Sequence, residues 1–576
     1  MLFRDRPFQD THLRPLRFAA ICLSSLIFLT SAAHAVTCKV ASAHVNSPAQ
    51  QAFLRGDYEE AVSLYRTEIS RAPAGGPQRA QLTADLVRIL LYQQKVAEAA
   101  AVIEPAVVSD PHSAPLDAAL AAVQYRQGLP WKASRSATAA VTDDPCYARG
   151  HLILAKLFRL ESLYSSEQHD IQAAYQLDPL DTEVRRAWIL SLPLKDRVSS
   201  LKSYLVADTG EEARTRQNQQ IYLENLETYL NGPRKDCRLV SSTASTEIPF
   251  TAFMSSATRI RAFGLDVKLN DKSSRLEINT DTYGIFVNRS VAERVGLKPL
   301  FPASSNSASD PEKQSGYTAY ADSIRIGGLE FHNCVVRVRD RKVLGDFDGL
   351  IGMDVFSRFL VGLDYPMRKL TLSPLPRLPE DATTETPTLR TDGAPESQSA
   401  ATPAVNAPGP PNTAAASRSA YSSLRNRYIA PEMKDYIPVY RVDQELLVPT
   451  SLNGGPNQLF LLDTGAWSTT VSPDSARSVT NLRSNDRVLV RSNGKATPVY
   501  SADRVVFQFA ALRQEVDNVS TFDTVPASRN AGLDIAGFLG FSTLRLLTIH
   551  IDYRDGLVKF DYDSQRGFNP TSALNP

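Results

Sequence analysis

The chain has 576 residues, which at roughly 150 residues per domain corresponds to about three or four domains. Hydrophobic residues make up 43% of it, which is enough to form packed cores. Its 63 lysine and arginine residues balance its 62 aspartate and glutamate residues, so charge gives no support for binding to nucleic acid or to an anionic membrane surface.

The first 35 residues have the pattern of an export signal. Four arginines precede an apolar run at residues 18–29, and small residues ending in Ala33-His34-Ala35 follow. We therefore predict a signal peptide at residues 1–35, a periplasmic or secreted mature protein, and no stable membrane insertion after cleavage. The alternative is an uncleaved anchor, although this run is shorter than the roughly 20 residues that span a bilayer.

Residues 47–230 are predicted to form helical repeats. Apolar residues recur at helical spacing, and the pairs Asp110-Pro111, Asp144-Pro145 and Asp178-Pro179 recur at equal intervals. This period, together with the segment "FLRGDYEEAVSLYRTEI" at residues 53–69, resembles the tetratricopeptide repeat. Such arrays bind peptides or proteins on a concave face. A protein partner on the repeats is one interpretation, and a spacer that packs against the rest of the chain is the other.

Two later segments, residues 245–376 and 433–564, alternate apolar and polar residues between turn residues, which is typical of short strands. Between them, residues 377–432 are rich in Pro, Ala and Ser and are predicted to be a disordered linker. Because Cys237 and Cys334 flank the same β segment, they form the favoured disulfide, with free buried thiols as the alternative.

The two β segments are copies of each other. The interval from Asn279, in "LEINTDTYGIFVN", to the "GLIG" that begins at Gly349 nearly equals the interval from Asp463, in "FLLDTGAWSTTVS", to the "GFLG" that begins at Gly537. The distance along the chain from each of these glycines to an aspartate in a closing strand, Asp364 or Asp552, is identical in the two segments. The shared order of these features indicates two related lobes.

The motif "LLDTGA", the apolar-apolar-Gly turn and the closing "IDY" strand resemble the retropepsin-like aspartic peptidases. The resemblance implies a multidomain fold class, an all-α tetratricopeptide-like region followed by two all-β acid-peptidase-like lobes. It also implies that Asp463 is the catalytic carboxylate, working in an acid pair that shares a proton. The supporting loop residues implied by the family are Thr464, Gly465, Ala466, Phe538, Leu539 and Gly540.

The first lobe departs from this pattern. Its triplet is Asn279-Thr280-Asp281, and an amide cannot ionise or pass a proton. Aligning Asp281 with Asp463 instead would put Thr280, rather than an apolar residue, before the aspartate and break the spacing to the next strand. A bare β-turn is a further reading of Asp463-Thr464-Gly465.

Three functions remain open on these residues. The first is an active endopeptidase that cuts a peptide or protein, and in one form of this hypothesis the Asp463 lobes of two chains pair in a homodimer. The second is a pseudopeptidase whose cleft holds peptides without cutting them, and the third is a repeat scaffold with inert lobes.

A lid over the cleft is predicted from two glycine-containing stretches, which make Gly316 with Tyr317, and Gly494, candidate flap tips; ordinary surface hairpins are the alternative. The histidines lack the spacing of a helical zinc site. No metal and no cofactor is predicted.

Overall fold

The computed structural model describes most of the chain after residue 37. The described ranges are 38–40, 47–207, 212–232, 237–243, 245–257, 259–302, 316–339, 347–379, 389–390, 425–492 and 495–564. The predicted signal peptide lies outside them. No helix within these ranges is long and apolar enough to cross a membrane.

The amino-terminal region is a stack of antiparallel helices with the predicted repeat period. Helices α4, α6 and α8 begin at equal intervals along the chain, and each ends directly before one of the Asp-Pro pairs, because proline cannot continue the helical hydrogen-bond ladder. The helices described in this region are α1 Pro48–Arg55, α2 Tyr58–Arg71, α3 Pro77–Tyr92, α4 Val96–Ser109, α5 Ala114–Arg126, α6 Pro130–Asp143, α7 Ala148–Leu160, α8 Tyr164–Leu177, α9 Thr182–Ser191, α10 Leu194–Val206 and α11 Ala213–Asn231.

The first β lobe follows these helices. Its main sheet has the strand order β1-β9-β6-β10-β5-β4-β8-β7, with β3 paired to β4. The strands are β1 Arg238–Leu239, β2 Thr246–Pro249, β3 Thr251–Ser256, β4 Arg259–Leu269, β5 Lys272–Ile278, β6 Ile285–Asn288, β7 Phe301–Pro302, β8 Gly316–Ile326, β9 Leu329–Arg339, β10 Gly349–Ile351, β11 Phe359–Asp364 and β12 Lys369–Pro374, with helix α12 at Arg289–Arg294.

The second β lobe repeats this plan in its central strands. Its sheet has the order β17-β21-β16-β15-β19-β18, with β14 paired to β15 and β20 to β19. Its elements are β13 Ile437–Pro438, β14 Tyr440–Val442, β15 Glu445–Leu452, β16 Asn457–Leu462, β17 Thr470–Val471, α13 Pro473–Arg477, β18 Leu482–Ser492, β19 Lys495–Phe509, β20 Leu512–Ser520, α14 Val525–Ala531, β21 Gly537–Leu539, α15 Phe541–Leu544, β22 Thr548–Asp552 and β23 Leu557–Asp561. The predicted fold class, helical repeats followed by two β lobes, is confirmed.

A third sheet joins the two lobes of the same chain. Its strand order is β13-β23-β22-β11-β12-β2, so three strands from each lobe contribute. At its centre β11 and β22 run antiparallel, with Val361 opposite Ile551 and Leu363 opposite Ile549. One hydrophobic core continues from lobe to lobe, for example where the rings of Phe263 and Phe541 lie 5.7 Å apart. The lobes therefore form one body around an approximate two-fold axis.

The helical region packs against the second lobe. Trp131 of α6 and Leu160 of α7 share a buried cluster with Tyr440 and other residues of that lobe. Gly128 approaches the loop before β21 so closely that a Cβ there would lie 2.4 Å from the carbonyl oxygen of Asp534. Of the two roles predicted for the repeats, packing against the β region is present in the structure.

Two described parts of the predicted linker, residues 389–390 and 425–432, contact the rest of the chain. Arg390 lies between the helices and the second lobe, where its guanidinium is 3.2 Å from the carboxylate of Glu161, which is fully buried. Arg427 contacts the same carboxylate. The expectation of a disordered linker therefore does not hold for residues 389–390 and 425–432, because two arginines compensate the buried charge of Glu161. The intervening residues 391–424 lie outside the described ranges.

Two disulfides link cysteines in the described part of the chain. Cys237 and Cys334 link the start of the first lobe to β9, the pairing favoured from the sequence, and their Cα atoms lie 4.3 Å apart. Cys38 is bonded to Cys146 at the end of the loop after α6, a pairing that the sequence did not select.

Candidate active site

Strand register decides which residues of the two lobes are equivalent. In the first lobe, Leu276 pairs with Gly349 and Ile278 with Ile351 in parallel strands. In the second lobe, Phe460 pairs with Gly537 and Leu462 with Leu539 in the same way. The residue that follows each first strand is therefore Asn279 in one lobe and Asp463 in the other. The alternative alignment of Asp281 with Asp463 is wrong.

The two loops are joined by the threonines next in sequence. The amide N–H of Thr280 donates to Oγ1 of Thr464, and that of Thr464 donates to Oγ1 of Thr280, both over 3.1 Å. Each hydroxyl also donates to a carbonyl of the opposite strand, Thr280 to Leu462 at 2.6 Å and Thr464 to Ile278 at 3.1 Å. Both threonines are buried, so this exchange satisfies their amides and hydroxyls and fixes the loops.

Asp463 is held at this junction in a buried position. Its Oδ1 accepts hydrogen bonds from the amides of Gly465 at 2.8 Å and Ala466 at 3.0 Å. Burial raises the pKa of the Asp463 carboxyl, and the two amide donors oppose this rise. Oδ2 makes no hydrogen bond within the described residues, so it is the oxygen available to a ligand.

Gly465 is required by the close approach of the two loops. A Cβ at this position would lie 2.2 Å from Nδ2 of Asn279, well inside contact distance. Leu539 and Gly540 contact the loop, because the Leu539 carbonyl accepts from the Asp463 amide at 3.1 Å and Gly540 packs on Ser468. Phe538 instead faces the other side of its strand, where it contacts Phe522, since successive residues of a strand face opposite ways.

Asn279 reproduces the loop geometry of Asp463 without its charge. Its Oδ1 accepts from the amide of Asp281 at 2.8 Å, as Oδ1 of Asp463 does from Gly465. Its own backbone amide donates to the carbonyl of Ile351 at 3.0 Å. The amide side chain therefore preserves the shape of the site, but it supplies no ionisable group.

Carboxyl groups nevertheless surround Asp463. The carboxyl of Asp281 lies near that of Glu445, the first residue of β15, and interacts with it electrostatically. Although Asp281 remains partly accessible, burial together with the carboxylates of Asp463 and Glu445 raises its pKa to about 8. Burial raises the pKa of Glu277 to about 7, opposed by Arg261 and aided by Asp463.

Glu277 and Glu445 were missed by the sequence reasoning. The signal for Glu277 is a charged residue inside an otherwise apolar strand end, "LEI", at a position that is 6% exposed. Glu445 carried no local signal, because it meets Asp281 only through the fold. None of these groups forms a cluster of three or more metal-ligating side chains within the described part of the chain.

The predicted flap tips do not lie at tips where the structure describes them. Gly316 and Tyr317 begin β8, and Tyr317 is buried in the core beside β9. A Cβ on Gly316 would lie 2.2 Å from the carbonyl oxygen of Val338, so this glycine serves strand packing at the base of a hairpin. Gly494 follows β18, whose last residue, Ser492, pairs with Lys495, and it lies outside the described residues.

Comparison with known proteins agrees with this geometry. Residues 265–355 match a family model described as "Aspartyl protease". No curated protein sequence matches the chain. The match covers the lobe that carries Asn279, and it confirms the resemblance to aspartic peptidases that the sequence motifs indicated.

Three solved structures are also similar in part. A retropepsin-like aspartic protease from Rickettsia conorii is 19% identical, covers 24% of this chain and 95% of its own, and has a TM-score of 0.17. An aspartic proteinase from Irpex lacteus is 12% identical over 58% of this chain and 100% of its own, with a TM-score of 0.31. A thermophilic TPR protein from Thermus thermophilus is 19% identical over 31% of this chain and 98% of its own, with a TM-score of 0.24.

Proposed function

We propose that this chain, whose lobes resemble those of aspartic peptidases, is an exported aspartic-type endopeptidase with Asp463 as its water-activating carboxylate. The observation that carries the proposal is the reciprocal bonding of Thr280 and Thr464, which fixes the Asp463 loop against its counterpart in the same chain. Because the two loops already meet within one chain, a second copy is not needed to bring them together. The homodimer considered from the sequence is therefore not part of the proposal.

The environment of Asp463 suits a general base. Two amides hold Oδ1, which fixes the carboxyl plane and leaves Oδ2 to accept a proton from water. Burial raises the pKa of this group, and a more basic carboxylate removes a proton from water more effectively. Water made nucleophilic in this way would attack the carbonyl carbon of a bound peptide without a covalent enzyme intermediate.

A second candidate function is peptide binding without cleavage. Asn279 favours it, because the amide preserves the loop shape and removes one of the two acids that such sites share. In that case the cleft would hold an extended segment of a protein, and Asp463 would act only as a hydrogen-bond acceptor.

Export is proposed from the first 35 residues, and the two disulfides support it because such bonds persist in oxidising compartments. A protein partner on the repeats also belongs to the proposal. A cavity of about 600 Å³ beside the helices is lined by several basic side chains, including Arg126 and Lys156, and by the acid Glu183, which pairs with Arg88. The ammonium of Lys156 makes no hydrogen bond or ion pair within the described residues, so the cavity offers it to an acidic ligand.

The test is cleavage of an unstructured protein substrate, casein, between pH 4 and pH 9, by the mature chain and by its Asp463→Asn variant. We expect Asp463→Asn to lose roughly 100-fold to 10,000-fold in kcat/KM, the contribution typical of a general base. Asp266→Asn is the matched control, because Asp266 is an exposed acid on β4. A mature chain that binds casein but leaves it intact at every pH would refute the peptidase and establish the second candidate.

A further inference from the structure

The first-lobe loop has Asn279 in place of an acid, but it has an acid, Asp281, two positions further along the chain. Asp281 occupies, in the first lobe, the position that Gly465 occupies in the second, as the strand registers show. Gly465 lies against the side-chain amide of Asn279. A Cβ added to Gly465 would lie only 2.2 Å from Nδ2 of Asn279. The approximate two-fold axis exchanges Asn279 with Asp463, so it places the backbone of Asp281 beside the Asp463 carboxyl.

Asp281 does not stand alone in this position. Its carboxyl lies near that of Glu445, and two carboxyls this close do not both ionise readily, which favours a proton on one of them. Glu445 begins β15 of the second lobe, so the pair bridges the two lobes, as the threonine exchange also does. Asp281 remains partly accessible to solvent, whereas Asp463 is buried, so a ligand can reach the Asp281 carboxyl.

We infer that Asp281, supported by Glu445, is the second acid of the site and takes the place of the acid that Asn279 lacks. This inference rests on the proposed peptidase function and specifies how its proton transfers are completed. Asp281 is assigned as a catalytic residue, and Glu445 as the positioning residue that keeps it protonated.

The proton transfers balance with these two groups. As water adds to the carbonyl carbon of the peptide, Asp463 takes a proton from the water and Asp281 gives its proton to the carbonyl oxygen. When the carbon–nitrogen bond then breaks, Asp463 protonates the leaving nitrogen, and one hydroxyl of the intermediate returns its proton to Asp281. One water is consumed, and both carboxyls end as they began.

The charges around Asp281 support a proton on it at neutral pH. Asp463 faces it from the loop after β16, and Glu445 faces it from β15, with Asp443 behind Glu445. Burial and these carboxylates raise the pKa of Asp281 to about 8. Activity should therefore fall as the pH rises through about 8, where Asp281 loses the proton that it donates.

The experiment measures kcat/KM on casein from pH 4 to pH 9 for the mature chain, D281N, E445Q and the control D266N. D281N should lose about 100-fold, since an amide cannot donate a proton in general acid catalysis. E445Q should keep much of the activity but move the alkaline limb to lower pH, because Asp281 loses the neighbouring carboxylate that raises its pKa. A purely structural role for Glu445 would leave that limb where it is.

Rescue separates catalysis from folding. N279D in the D281N background restores an acid across from Asp463, so it should regain at least tenfold of the lost activity. An active chain in which D463N is dead but D281N is unimpaired would overturn this inference and leave the proposed function standing. D281G with higher activity than the natural chain would also overturn it, because Asp281 would then obstruct the cleft. A natural chain that cuts nothing at any pH would refute the proposed function itself, and this inference with it.

Discussion

The two β lobes share one strand plan but differ at the centre and in how they are braced. The second lobe has Asp463 with a glycine two residues later, whereas the first has Asn279 with Asp281. The first lobe is tied by a disulfide, and the second is packed against the helical repeats. The two loops keep the same backbone because the threonine exchange and the hydrogen bonds from the loop amides form in both. These bonds form whether the residue at the start of the loop is Asn279 or Asp463.

The largest expected loss of stability comes from breaking the threonine exchange, to which both lobes contribute. Thr464→Val would leave the Thr280 amide and the Ile278 carbonyl without their partner in a buried place, and we expect a loss of about 2–4 kcal/mol in the free energy of unfolding. Thr280→Val should cost a similar amount, since the exchange is reciprocal. Urea unfolding of both variants measures this.

The double variant sharpens the test. Because the two threonines bond to each other, the combined cost should be smaller than the sum of the two single costs. Strictly additive costs, or a threonine whose loss costs nothing, would contradict a shared junction.

The next effect should be confined to the first lobe. Replacing Cys237 and Cys334 by Ser removes the only disulfide among the described residues of that lobe, and should cost about 2–4 kcal/mol. Hydrogen exchange should accelerate most near β1 and β9 and least around α6 and β16. Equal acceleration of exchange in both lobes would show that the disulfide does not stabilise the first lobe independently of the second.

A smaller effect tests the glycine position. Gly465→Ala would drive a methyl group into Asn279, and we expect a cost of about 1–3 kcal/mol. Adding Asn279→Ala should recover part of that cost by removing the amide. The first-lobe counterpart, Asp281→Gly, removes a side chain without creating an overlap and should not destabilise the chain by a comparable amount. Thermal melting of these variants beside the natural chain distinguishes the two positions.

The last effect is the pH dependence of stability, and solvent screening reduces its size because Asp281 is partly accessible. The folded pKa of Asp281, about 8, is above the value of roughly 4 for a free aspartate, so its folded form holds the proton more tightly than its unfolded form. Its contribution is therefore fully present below about pH 4 and is lost as the pH rises toward 8. Melting temperature should fall less steeply over this range in Asp281→Asn than in the natural chain. Parallel curves would show that the Asp281 carboxyl is not perturbed.

Much of the architecture was predictable because it follows from local patterns. The regular interval between the Asp-Pro pairs predicted the helical stack, and the common spacing from Asn279 and Asp463 to the later glycines predicted the equivalence of the lobes. The motif also named Gly465, Leu539 and Gly540, and the structure places all three at or beside the Asp463 loop. Phe538 was predicted to support the loop, but the alternation of side chains along its strand turns it to the opposite face. Tyr317 was predicted at a flap tip, but pairing of its strand with β9 buries it.

The sequence by itself determined the order of the domains, the period of the repeats and the identity of the groups at the two loops, since these depend on neighbours along the chain. Only the tertiary structure decided that the loops meet within one chain and that Asp281 meets Glu445. It also decided that Arg390 neutralises Glu161 and that Gly128 lies against Asp534. Each of these contacts joins residues far apart in the chain, and which distant pair meets is set by the packing of whole elements, because no local pattern of polarity encodes it.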